Sequence, residues 1–445
     1  MTPIPSQRVK SRRLKRPTKV TRARWAAWLT IRRTFDEDAW TDRAFAGVVE
    51  QLGLDDDPRE RAFAQQLAYG TVQHAKQLDH VIGVLGKRPL RKLDPPVLHA
   101  LRIGVYELLH LQQATDSDGR RLGSDSAHAA VSQAVELVRG VVGERATAFT
   151  NAILRRAQVD GQGILDALDP SDDSDLATSL SMPEWLVHRV RAGHGQQGID
   201  ALAAQNEPTA AAFRVVVARG DEVAGEPLVV DRPTPEIVER VASGELHPQS
   251  LASQQVATFL DPKPGERILD MCAAPGGKTT HVASLLGDGS VVAVELHEHR
   301  ADSIRALADK LHVAERVEVR VADATTLDPA DLGGAFDRVL VDAPCSGTGV
   351  LAARPDARWK RTEEGIDELV DLQRRLLQAA ARLVKVGGTV VYSTCSILRD
   401  EDEAIIAERP ASLELLDERR TWPQVDHTDG FYMARLQRTD PGGDA

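Results

Sequence analysis

Cysteine is scarce in this chain, with three residues in 445, at Cys272, Cys345 and Cys395. So small and odd a number excludes a disulfide scaffold and fits reduced thiols. Aromatic residues are also few, at 4%, in a composition of 42% hydrophobic and 27% charged residues that is otherwise that of a soluble globular protein. No uncharged apolar run approaches the roughly 20 residues of a membrane helix, and the first residues lack the apolar core of a signal peptide. A cytoplasmic protein with no membrane partner is expected. Acidic residues are missing before Asp36, whereas Arg8, Lys10, Arg12, Arg13, Lys15, Arg16, Lys19, Arg22 and Arg24 precede it. The net charge of −11 argues against indiscriminate binding to nucleic acid. The basic block nonetheless reads as a disordered arm over residues 1–20, able to neutralise phosphates or serving as a solubilising tail.

A chain of this length holds two or three domains rather than one continuous core. Apolar residues at helical spacing run through residues 21–160: Leu78, Val81, Ile82 and Leu85, then Leu98, Leu101, Val105 and Leu108, then Val131, Val135 and Val138, then Phe149 and Ile153. No strand-like alternation interrupts them, so an all-α bundle is predicted. Arg155 and Arg156 at its end are solvated or meet phosphate. Gly, Asp, Ser and Pro cluster over residues 161–175, the composition of a linker. A short helix after Pro183 and strands at 213–217 and 227–230 then make residues 161–245 a linker with a small α+β subdomain. From 246 to 438 strands and helices alternate, which implies a mostly parallel sheet covered on both faces, and residues 439–445 form a tail. Its strands are placed at 267–270, 291–294, 317–321, 338–341 and 389–392, with amphipathic helices at 297–311 and 366–383.

Each of these strands ends in a conspicuous polar residue: Asp270, Glu295, Asp323, Asp342 and Ser393-Thr394-Cys395. One carboxylate at a strand end commonly caps the next helix, but four along one edge describe a ligand crevice. The first strand runs into Asp270-Met-Cys-Ala-Ala-Pro-Gly-Gly-Lys278, a strand, tight loop and helix that aims backbone N–H groups and the positive end of a helix dipole at that crevice. Glu295 follows the glycines by about 20 residues, the spacing at which an acid reaches ribose hydroxyls of a bound nucleoside. Asp323 then lies nearer the base. The loop matches neither G-x-G-x-x-G nor G-x-x-x-x-G-K-[ST], so it has no pyrophosphate cradle. A short Gly-Gly loop of this kind fits S-adenosylmethionine, whose tail and sulfonium need close backbone approach.

Three motifs taken together, Asp270-Met-Cys-Ala-Ala-Pro-Gly-Gly-Lys278, Val341-Asp-Ala-Pro-Cys-Ser-Gly-Thr-Gly349 and Tyr392-Ser-Thr-Cys-Ser396, resemble the Sun/Nop2 family of RNA cytosine-5 methyltransferases. Arg354-Pro-Asp356, Trp359 and Gly430-Phe-Tyr432 fit the same pattern, and the resemblance covers nearly the whole chain beyond the basic arm. It implies an N-terminal helical domain similar to the RNA-binding antitermination protein NusB, followed by a Rossmann-like methyltransferase domain. It also implies S-adenosylmethionine contacts at Cys272, Ala273, Ala274, Pro275, Gly276, Gly277, Lys278, Glu295, Asp323 and Asp342. Glu295 stands where relatives usually carry Asp, and both accept two hydroxyl hydrogen bonds. Phe213-Arg-Val-Val departs from the family's usual Arg-x-Asn.

The implied chemistry needs thiols. Carbon 5 of cytosine becomes nucleophilic only when a thiolate adds to carbon 6, and a base must then remove the proton at carbon 5 before the thiolate leaves. The residues alone leave Cys345 and Cys395 equal as nucleophile. The resemblance assigns attack to Cys395 and release or proton removal to Cys345, with Asp342 bonded to the ring or its amino group. Cys272 is then left to loop packing, and Lys278 fixes the cofactor loop or a phosphate. The expected partner is RNA, 16S rRNA in the bacterial branch of the family, with an unstacked target base, and a monomer is expected. The same chemistry on tRNA or another rRNA site is the alternative, followed by a non-catalytic RNA-binding factor in ribosome assembly.

Overall fold

The computed structural model describes residues 15–111, 126–207 and 209–439. The chain divides into two compact units, one ending at Glu184 and including Arg354–Asp356, the other beginning at Trp185. Among the described residues no helix is long and apolar enough to cross a membrane.

The first unit is helical, with helices Arg22–Asp36, Thr41–Leu52, Pro58–Gln73, Ala75–Gly86, Pro95–Tyr106, Ser126–Val141 and Thr147–Asp166. Local chemistry sets their ends. Pro58–Gln73 begins with a proline in its first turn and the Asp57 side chain accepting from Glu60 N–H, and Thr41–Leu52 stops at Gly53 in the left-handed region. The apolar stripes bury as the spacing predicts, Leu78, Val81, Ile82 and Leu85 being at most 3% exposed. Burial of each such side chain stabilises by about 1.5–3 kcal/mol. On Ser126–Val141 the buried face is Val131, Ala134, Leu137 and Val138, with Val135 only half-buried. Trp25 and Trp28 stack at 5.1 Å in the core.

Two expectations need correction here. Residues 1–14 of the basic arm lie outside the described residues, but its last part is packed and ordered: Val20 is buried, Lys19 O accepts from Gln133, and Pro17 lies against Gly140. The linker over 161–175 is largely helical, because Thr147–Asp166 runs straight through Gly161, where a Cβ would meet Leu109, and Asp173–Ser179 follows. Glycine there serves close helix packing, not a chain break.

The second unit opens with helix Glu184–Ala204, longer than the short helix expected and broken at Gly195. Strands β1 (Ala211–Val215), β2 (Pro227–Val230) and β3 (Leu246–Pro248) form an antiparallel sheet in the order β2-β1-β3. The expected domain boundary at residue 246 assigns Leu246–Pro248 to the catalytic domain, yet these residues form β3 and pair with β1 through Phe213 opposite Pro248. Strands β4 (Arg267–Asp270), β5 (Ser290–Glu295), β6 (Val317–Val321), β7 (Phe336–Asp342), β8 (Val384–Thr394), β9 (Leu413–Thr421) and β10 (Phe431–Arg438) form a second sheet ordered β6-β5-β4-β7-β8-β10-β9. The first five are parallel, and β10 runs antiparallel to β8 and β9. Helices Gly277–Leu285, Glu298–Lys310 and Glu363–Leu383 connect parallel strands and pack on the sheet. Ile268, Val291, Leu340 and Val391 from four of these strands share one buried cluster.

Candidate active site

The order of the second sheet reverses at β4: the chain proceeds outward through β5 and β6, then returns to β7 and β8 on the other side. Such a switch point opens a crevice at the carboxyl ends of the strands. There β4 ends at the buried Asp270, whose carboxylate accepts from Thr279 Oγ1 at 2.7 Å. Burial pushes the Asp270 carboxyl up to about 7, against the hydrogen bond from Thr279. The loop then turns through a cis Ala274–Pro275 bond and Gly276 at φ +107°, where a Cβ would stand 3.2 Å from Ile304 Cα. Only glycine permits both that backbone and that approach. Burial, then the nearby carboxylates of Asp270, Asp342 and Glu295, push the Cys272 thiol well up, so it stays a packed, protonated residue.

Glu295 and Asp323 stand on the same side, at the ends of β5 and β6. Glu295 Oε1 accepts from His297 N–H at 3.1 Å, and Asp323 Oδ1 accepts from Thr325 N–H and Oγ1 at 2.9 and 2.7 Å. The bonds from Thr325 hold the Asp323 carboxyl below its usual range. Each carboxylate keeps its other oxygen free of hydrogen bonds among the described residues.

On the opposite side of the switch point, Asp342 ends β7 and is held from two directions. Lys278 Nζ donates to Oδ2 at 2.8 Å and Ser393 Oγ donates to Oδ1 at 2.9 Å. Burial disfavours the Lys278 charge, but Asp342 outweighs it and holds the ammonium above its usual range. Lys278 also lies over the Phe431 ring at 5.0 Å, so it links the loop to Asp342. Cys345 and Cys395, from the loops after β7 and β8, bring their sulfurs to 3.3 Å, and both residues are half-buried. The hydrogen bond to Cys395 and then burial push the Cys345 thiol well up, so Cys345 is held protonated. Arg361 donates to the carbonyls of Ser346 and Cys345, and Gly349 N–H donates to Cys395 O, so the two loops are stitched together.

Several of the residues that hold this arrangement escape a sequence reading. Ser346, Thr348, Ser396 and Glu401 form a buried hydrogen-bonded group behind the two cysteines, and Asp402 accepts from Thr394 at 2.5 Å while pairing with Arg420 at 2.8 Å. Glu401 and Asp402 sit in Arg399-Asp-Glu-Asp-Glu403, which reads as a solvated charge run, yet both are fully buried. The hint lay in its place a few residues after Cys395.

The family model for the 16S rRNA methyltransferase RsmB/F matches residues 257–437, and that of the NusB family matches residues 21–159. A probable ribosomal RNA small subunit methyltransferase B of Synechocystis is 31% identical, over 94% of this chain and 99% of its own length. The chain belongs to the RsmB/F methyltransferase family. A relative of the same description from Bacillus subtilis is also 31% identical, over 90% of this chain and 95% of its own. Among solved structures, PH0851 superposes with a TM-score of 0.73 at 24% identity over 95% of this chain and 100% of that one, a likeness of fold. A methyltransferase homologue from Pyrococcus horikoshii is 29% identical, with a TM-score of 0.52 over 61% of this chain and 100% of its own. The cofactor of the family is S-adenosylmethionine. The site fits it: Glu295 and Asp323, at neighbouring strand ends of the crevice, each keep an acceptor oxygen free of hydrogen bonds among the described residues.

Proposed function

We propose that this enzyme transfers a methyl group to carbon 5 of a cytosine in RNA, with 16S rRNA as the substrate, through a covalent adduct between Cys395 and carbon 6. The observation that carries this reading is the pair of sulfurs 3.3 Å apart at the switch-point side of the cofactor loop. Two thiols in contact suit a reaction that needs one sulfur to bond carbon and a second group to handle a proton. When bound, S-adenosylmethionine supplies an electrophilic methyl group on sulfur, held by residues 272–278, Glu295 and Asp323.

Cys395 attacks as the thiolate. The new carbon–sulfur bond at carbon 6 moves an electron pair onto carbon 5, which takes the methyl group. The carbon 5 proton passes to water and the pair left behind restores the 5,6 double bond as the Cys395 thiolate departs, a departure that the Cys345 thiol assists by donating to the Cys395 sulfur 3.3 Å away. Asp342, fixed between Lys278 and Ser393, aligns the ring through its amino group. The ring must be out of a helical stack for a side chain to reach carbon 6.

Bisulfite sequencing of total RNA from cells with and without the gene should lose one protected cytosine in 16S rRNA. A lost site in tRNA instead would redirect the substrate. The Cys395→Ala enzyme should bind the cofactor but transfer no methyl, whereas Cys345→Ala should accumulate a protein–RNA band on a denaturing gel. Substantial turnover by Cys395→Ala would reject that residue as nucleophile.

A further inference from the structure

Glu401 has no exposed surface and makes no ion pair among the described residues, yet its carboxylate accepts four hydrogen bonds. Oε1 takes Ser346 N–H at 2.8 Å and the Gln373 amide at 3.1 Å, and Oε2 takes the hydroxyls of Ser346 at 2.5 Å and Ser396 at 2.6 Å. Ser346 directly follows Cys345, and Ser396 directly follows Cys395. One oxygen atom therefore ties together the two loops that carry the sulfurs.

The rest of the group closes around that atom. Thr348 Oγ1 accepts from Ile397 N–H at 3.1 Å and lies 3.0 Å from Ser396 Oγ, so the loop after each cysteine also bonds the other. Gln373, on helix Glu363–Leu383, donates to Pro344 O at 2.9 Å as well as to Glu401, and Tyr392 Oη donates to Glu401 O at 2.6 Å. A lone buried carboxylate is costly unless every acceptor position is used, and here the used positions are the ones beside the reacting groups. A glutamine there could accept from both hydroxyls only by turning its own N–H groups against the Ser346 N–H and the Gln373 amide, which now donate to Oε1.

We infer that Glu401 is a positioning residue, whose carboxylate sets the separation and orientation of the Cys345 and Cys395 sulfurs. After the hydrogen bond to Cys395 and burial, the nearby Glu401 carboxylate adds to what holds the Cys345 thiol protonated. The inference rests on the proposed roles of the two cysteines.

The test uses the full chain with Glu401→Gln, which keeps the size of the side chain, and Ser396→Ala, which removes one hydroxyl from Oε2. Two readouts are taken: methyl transfer per cofactor-binding molecule, and the division of iodoacetamide alkylation between Cys395 and Cys345 by peptide mass spectrometry. Glu401→Gln should lower kcat by about 10- to 100-fold with KM for RNA changed less than about twofold, as for a small misplacement of reacting groups. Alkylation should shift from Cys395 toward Cys345, and Ser396→Ala should show both effects in weaker form. A purely structural role predicts less folded protein with kcat per binding molecule and the alkylation ratio unchanged, and that result overturns the inference. Should Glu401→Gln fail to fold, Ser396→Ala decides by the same two readouts. Activity retained by Cys395→Ala would sink the proposed function, while the alkylation ratio would still decide the role of Glu401.

Discussion

At the scale of single residues, the site is governed by acids taken out of water and by what compensates them. Asp270 shows the cost: burial raises its carboxyl from 3.8 to about 7, because Thr279 offers a single hydrogen bond and Lys278 is already committed to Asp342. Since the folded value lies above the unfolded one, Asp270 contributes stability that is full below about pH 4 and lost as pH rises through about 7, at up to about 1.4 kcal/mol per pH unit. Asparagine is neutral throughout and keeps an acceptor for Thr279. Thermal melts of Asp270→Asn and the parent should therefore diverge in favour of the variant between pH 4 and 7 and run parallel above that. A constant gap would show that Asp270 is charged across the whole range. Asp270 was legible in the sequence as a strand-end acid, but its protonation was not, because burial is a property of the neighbours.

At the scale of elements, the parallel strands were readable and the antiparallel edge was not. β4 and β6 fall on the predicted residues, β4 because its buried Ile268 and Leu269 show as an aliphatic run and β6 because its valines alternate with Glu318 and Arg320, whereas β9 carries Glu414, Asp417, Glu418, Arg419 and Arg420 on a half-exposed edge. β10 matters for the site because Gly430, just before it, packs against Gly349 after Cys345. A Cβ on Gly349 would fall 1.9 Å from Gly430 O, while Gly349 N–H holds Cys395 O at 2.9 Å and Gly349 O accepts from Gly430 N–H at 2.8 Å. Gly349→Ala should destabilise by about 1–3 kcal/mol, as other insertions into packed interiors do, and should cut methyl transfer by shifting the Cys395 loop. The control is Gly83→Ala in helix Ala75–Gly86, where nothing lies within 4 Å of the new carbon. There alanine should be neutral or stabilising by about 0.5–1 kcal/mol, and equal denaturant midpoints for the two variants would contradict the packing argument.

At the scale of the whole molecule, an acidic chain with a basic start joins a NusB-family domain to an RsmB/F catalytic domain. If the N-terminal basic residues contact phosphate, the affinity for RNA should fall linearly on a log–log plot against salt, by roughly 0.7 per contacted phosphate for single strands. Removing residues 1–14 should flatten that slope. A slope that is the same with and without them would assign those charges to solubility.

The sequence by itself determined which residues meet at the crevice, because strand-end acids, the Gly-Gly loop and the two cysteine motifs are local patterns whose spacing follows from the period of strands and helices. It also determined the helical bundle, through the stripe that includes Leu78, Val81, Ile82 and Leu85. Only the tertiary structure decided which charged residues lose their water. Glu401 and Asp402 look like surface charge in the chain and are fully buried in the fold, and Lys278 spends its charge on Asp342. Desolvation and pairing depend on residues distant in sequence: Ser346 meets Glu401 across 55 positions, and Cys345 meets Cys395 across 50.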